Sequence, residues 1–123
     1  MTLPYGFQGL ELQASTGPDG FALQNGTPTI LSWTAPNDGQ MHRVLLLAGL
    51  NVTSDETGGQ VKLTLTQPDG STRGPTIFSA AQSAGTQGVI QDGLVKAGST
   101  VTLAQSSALT GGAAVVFAEL WGS

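Results

Sequence analysis

Turn signals recur so often along this 123-residue sequence that no long helix fits between them. Gly17-Pro18-Asp19-Gly20, Pro36-Asn37-Asp38-Gly39 and Gln67-Pro68-Asp69-Gly70 share one chemistry. Proline presets φ, Asp or Asn bonds back to its own backbone, and Gly accepts positive φ. Weaker stops stand at Asn25-Gly26, Gly58-Gly59, Asp92-Gly93, Ala97-Gly98 and Gly111-Gly112. The segments between them alternate. In Gln60-Val61-Lys62-Leu63-Thr64-Leu65-Thr66, Val61, Leu63 and Leu65 share one face while Lys62, Thr64 and Thr66 face water. Thr100-Val101-Thr102-Leu103 repeats the pattern, and Leu31 and Trp33 share a face of Thr29-Ile30-Leu31-Ser32-Trp33.

Two runs are apolar on both strand faces: Val44-Leu45-Leu46-Leu47-Ala48-Gly49-Leu50, and Ala113-Ala114-Val115-Val116-Phe117-Ala118 with Trp121 beyond. Such runs belong in the middle of a layered structure or under a neighbouring subunit. Seven to nine strands are predicted, near 10–15, 20–24, 28–34, 43–53, 60–67, 74–79, 87–91, 99–106 and 113–121. Short strands with frequent turns make an all-β fold, a single-domain β-sandwich that is jelly-roll-like. The small polar stretch 79–87 reads as a long loop with room for one helical turn. Residues 20–123 form the sandwich in this reading, and 1–19 a non-helical N-terminal arm. Leu3, Pro4, Tyr5, Phe7 and Leu10 give the arm an apolar character that needs a docking place, on a capsid or a neighbour.

Composition narrows the function. Without cysteine there are no disulfides, thiolate metal sites or thiol nucleophiles. One histidine, His42, rules out a three-histidine metal site within one chain. Charged residues are 10% of the chain against about 25% in average soluble domains. Gly, Ser, Thr, Gln and Asn take their place, as befits a protein packed against others. The four basic residues, Arg43, Lys62, Arg73 and Lys96, form no stripe, so neither nucleic acid nor an anionic membrane is expected as a partner. The N-terminus lacks the basic and apolar regions of a signal peptide, and the longest apolar run is far too short to span a bilayer. Synthesis in a cytoplasm is the expectation.

No constellation calls for catalysis or a cofactor. Asp55-Glu56 lies in a polar segment and reads as a solvated loop. Asn37-Asp38-Gly39 is a turn, since calcium needs six to eight oxygen ligands and no Asp-x-Asp series is present. His42 reads as a surface or strand-edge residue; no Gly-x-Ser-x-Gly accompanies it. Phosphate-loop and dinucleotide motifs are absent. Asn25-Gly26-Thr27 and Asn51-Val52-Thr53 match the glycosylation sequon but carry little weight without a signal peptide. Trp33 and Trp121 read as core or interface residues rather than sugar platforms. Val115, Phe117 and Trp121 are candidates for a subunit interface. Glu119, on their face, needs a partner, and Arg43 is the candidate for an ion pair.

A resemblance runs through residues 20–123. Its landmarks are Trp33, Ala35-Pro36-Asn37-Asp38-Gly39, His42-Arg43-Val44-Leu45, Thr57-Gly58-Gly59 and Thr66-Gln67-Pro68-Asp69-Gly70. Lys96-Ala97-Gly98-Ser99-Thr100-Val101-Thr102, Ala108-Leu109-Thr110-Gly111-Gly112 and Leu120-Trp121-Gly122 follow. The late part resembles jelly-roll modules of the C1q/TNF-like kind. The whole is similar to the small capsid decoration, or cement, proteins of tailed bacteriophages. That resemblance implies a structural homotrimer on the outer capsid surface of a virion. Its partner would be the major capsid protein, and its task to stabilise the shell against internal DNA pressure. The alternative is a receptor- or carbohydrate-binding module of a head or tail fibre. A cupin-like enzyme would need a cluster of His and carboxylates that this chain lacks.

Overall fold

The computed structural model describes residues 9–74, 76–80 and 85–123. Ten strands form two antiparallel sheets, and the described residues contain no helix. The first sheet runs β1 (Glu11–Ser15), β10 (Ala113–Gly122), β4 (His42–Ser54), β8 (Gly85–Val95), with β2 (Phe21–Ala22) also on β10. The second runs β3 (Thr29–Thr34), β9 (Thr100–Ser107), β5 (Gln60–Thr66), β6 (Thr72–Arg73), with β7 (Thr76–Ser79) also on β5. The all-β sandwich expected from the turns and alternations is therefore observed.

The core lies between the sheets. From the first come Val44, Leu46, Leu50, Val52, Val116 and Leu120; from the second come Leu31, Val61, Phe78, Val101 and Leu103. Alternation made this predictable, because one parity of each strand must face the other sheet. The two doubly apolar runs become β4 and β10, neighbours in the middle of the first sheet. Their central place satisfies one apolar parity only; the other points out of the sandwich.

Several boundaries shift. The strand expected near 10–15 is β1, and its residues, though assigned to the arm, pair with β10 from Glu11↔Gly122 to Ser15↔Glu119. Leu3, Pro4, Tyr5 and Phe7 lie outside the described residues. The strand expected at 87–91 extends over Gly85–Val95, through Asp92-Gly93. Eleven paired positions along β4 override the local preference of that dipeptide for a turn. The start of β8 also takes up the end of the stretch read as a loop at 79–87.

Candidate functional site

The two outer faces of the sandwich differ in chemistry. On the second sheet, register aligns Ser32 with Thr102 and Thr34 with Thr100, and then Thr102 with Thr64 and Thr100 with Thr66. The hydroxyls bond across the strands, at 2.8 Å for Thr34–Thr100 and 3.4 Å for Ser32–Thr102. This face is made for water. On the first sheet, register aligns Leu12 with Trp121, Trp121 with Leu45, Glu119 with Leu47, and Leu47 with Ile90. Its outer face is largely apolar. Of the large apolar side chains exposed among the described residues, Leu12, Ile90, Leu94 and Phe117 stand on it and Met41 does not.

Part of this face is sealed by the chain itself. Leu10, Leu45 and Trp121 form a small buried cluster outside the sandwich core, with Leu47 against it. Leu10, expected to make an outside contact, thus packs within the protomer. So does Trp121, which is 4% exposed and cannot serve a subunit interface as expected. The turn at 17–20 closes over Val115: a Cβ on Gly20 would fall 2.6 Å from Val115 Cγ1 and 2.9 Å from Phe117 Cε1. Phe117, by contrast, stays 41% exposed. Of the three interface candidates, it is the one the fold presents to the outside.

The ion pair predicted between Arg43 and Glu119 does not form. Arg43 Nε donates to Asp92 Oδ1 at 3.1 Å and Nη2 to Asp92 Oδ2 at 2.8 Å, a bidentate pair across β4 and β8. The guanidinium holds the Asp92 carboxyl below its usual range, and the carboxylate raises Arg43 in turn. Glu119 faces Leu47, four positions along β4 from Arg43 and about 13 Å away at the rise of a strand. The sequence held no signal that β8 would bring Asp92 nearer to Arg43.

Two further polar clusters organise the ends of the sandwich. Glu56, read as solvated, is buried. Its Oε2 accepts from Gly58 N at 3.0 Å, Thr110 N at 2.7 Å and Thr110 Oγ1 at 3.0 Å, and its Oε1 from Gly112 N at 2.8 Å. Burial opposes ionisation, but these donors together outweigh it and leave the carboxyl below its usual range. The cradle holds the loop before β10. Gly112 must lack a side chain, since a Cβ there would meet the Asp55 carbonyl.

His42 is also buried rather than at a surface. One ring nitrogen, Nε2, lies 2.9 Å from Asp38 Oδ1, and Nδ1 lies 2.8 Å from the Ser123 carbonyl. Trp33 meets the imidazole edge-on, with centroids 6.4 Å apart. The Asp38 carboxylate, helped by that carbonyl, raises the His42 pKa, while the same contact lowers Asp38. The cluster ties the turn at 36–39 to the end of β10. Both it and the Glu56 cradle fasten loops. Among the described residues no three His, Cys, Asp or Glu side chains converge as a metal site would require.

Comparison with known proteins adds a likeness of fold. The sequence matches no known protein family and no curated protein. Solved structures do match. One is a chain from a structure of infectious bursal disease virus, Gx strain, at TM-score 0.56 and 11% identity. Another is a mutant VP2 protein of infectious bursal disease virus in derived T=1 particles, at TM-score 0.55 and 13% identity. Each match covers 94% of this chain but only 32% of the viral one, so this chain spans about a third of the length of those neighbours. At such identity the likeness is one of fold: a β-sandwich also found in proteins of virus particles.

Proposed function

We propose that this chain is a structural component of a virion: a bacteriophage capsid decoration protein that sits on the outer shell, as a trimer, and reinforces it. The observation that carries the reading is the apolar outer face of the first sheet, set opposite a face of hydroxyls. One side suits contact with protein and the other suits water. The likeness of the sandwich to virus-particle proteins supports it, as does the scarcity of charge. Bridging adjacent capsomers would bury further apolar area and raise the free energy needed to part them. Many weak contacts then add through multivalency. The major capsid protein is the partner, and no catalysis, cofactor, nucleic acid or membrane is required.

The two tryptophans weigh against the fibre-module alternative. Trp121 is buried, and Trp33 is taken up between His42 and Gly122, so neither offers a free ring for stacking on a sugar. The test is the copy number of the 12.4 kDa chain against the major capsid protein in purified particles. A ratio near one per capsid subunit is expected. A few copies per particle would point to a fibre, and absence from particles would end the virion reading.

A further inference from the structure

The apolar face carries a feature that the described residues of the protomer do not explain. Gly49 on β4 and Gly88 on β8 are directly paired, and their register puts both on the outer face. Glycine inside a strand weakens it, and commonly marks a place where another backbone or a ligand comes close. Here no described residue comes close. A Cβ at Gly88 would meet nothing within 4 Å, and one at Gly49 only the Gln87 carbonyl at 3.7 Å. Compare Gly112, whose missing side chain is forced by neighbouring backbone. Gly49, on the β4 side of the pair, opens into a recess of about 570 Å³ bounded by Leu47, Phe117, Glu119 and residues 15–18, and Gly88 lies beside it across the strand pairing. One pair along, Ile90 stands opposite Leu47 and is 70% exposed; Leu94, further along β8, is 63% exposed.

We propose that this recess is the docking place of a second copy of the chain, with Ile90 of one copy seated over the glycine pair of the next. Three observations select a copy of itself as the occupant. First, the face bears both a projection and a recess, so it is complementary to its own kind. Second, its charges nearly cancel: Arg43 is paired with Asp92, leaving Glu119, so two such faces meet little like-charge repulsion. Third, the size fits. The three long strands β10, β4 and β8, about 4.8 Å apart and about eleven residues each, span roughly 14 by 36 Å, or some 500 Å² in projection. Two copies would together cover about the 1,000 Å² that a specific interface needs. β8 adds to this. Among the described residues it pairs along one side, with β4, beside the apolar patch.

The inference concerns contacts between copies and is tested on isolated protein, so its outcome is independent of whether the chain is found on particles. Full-length protein is examined by sedimentation or light scattering over a range of concentration. The wild type is expected to exceed 12.4 kDa and to dissociate on dilution. Ile90→Lys and Gly88→Val are each expected to weaken association by about tenfold or more. Both should stay folded, because Ile90 is exposed and a Cβ at position 88 has open space. Thr102→Lys, on the hydroxyl face, should associate as the wild type does. A monomeric wild type at high concentration would overturn the proposal. So would Ile90→Lys and Gly88→Val variants that associate normally. Dissociation on removing residues 1–8, with both variants intact, would assign the contact to the arm and overturn it equally.

Discussion

Gln105 offers the sharpest test of how the second sheet holds the chain before β3. It sits on β9 at the inward parity shared by Val101 and Leu103, where an apolar residue would be expected, and is buried. Its side chain replaces a missing strand partner. Oε1 accepts from Gln24 N at 2.8 Å, and Nε2 donates to Gln24 O at 2.6 Å and Ser107 O at 3.0 Å. Its own backbone N donates to Pro28 O at 2.9 Å. Gln105→Leu keeps the volume and deletes all three side-chain bonds. At about 1 kcal/mol each, and more for any backbone group left unpaired, the loss is about 3 kcal/mol, partly offset by burying leucine in place of an amide. For a domain of this size that is a fall in melting temperature of roughly 10 °C. Thermal denaturation followed by near-ultraviolet circular dichroism measures it. Gln105→Glu adds a control. It retains the acceptor for Gln24 N but points a carboxylate at two carbonyls, so it should be the worse variant at neutral pH and recover on acidification. A Leu variant within a few degrees of the wild type would refute the assignment.

Leu45→Ala should cost about 2–4 kcal/mol, whereas Leu94→Ala on the same face should cost less than about 0.5 kcal/mol; equal losses in urea unfolding would deny that the chain seals only part of the face. Glu56→Gln should lower the melting temperature at neutral pH. Because the folded carboxyl is held below its usual 4.5, its contribution is present above that value and fades as pH falls toward the folded pKa; a pH-independent gap to the variant would contradict the cradle. The His42–Asp38 contact has two limits. His42 is raised above 6.5, so its share is complete below that pH and lost as pH rises through the folded value. Asp38 is lowered from 3.8, so its share is present above 3.8 and lost on further acidification. Asp38→Asn should therefore cost most between those values and should lower the NMR titration midpoint of the single histidine; an unmoved midpoint would show the contact to be absent in solution.

The sequence by itself determined the class of fold and much of its core. Pro-Asp-Gly turns forbid long helices, and alternation in 60–66 and 100–103 decides which side chains face inward, because strand parity is a local property. It also marked β4 and β10 as apolar on both faces, which put them at the centre of a sheet. What it could not supply were the partners. Arg43 finds Asp92 across 49 residues, and Glu56 finds the loop at 110–112 across more than 50, because sheet register alone brings them together. Glu56 carried no warning: a carboxylate between polar neighbours looks the same whether water or backbone N–H groups satisfy it. Trp121 and Leu10 looked like surface anchors, yet they cover each other, because a strand face can be closed by the segment that precedes it. Which apolar residues stay outside was likewise decided by tertiary structure. Ile90 and Leu94 are as apolar as Leu45, but no part of the described chain covers them. Burial depends on what lies above a side chain, and only the folded arrangement of the sheets settles that.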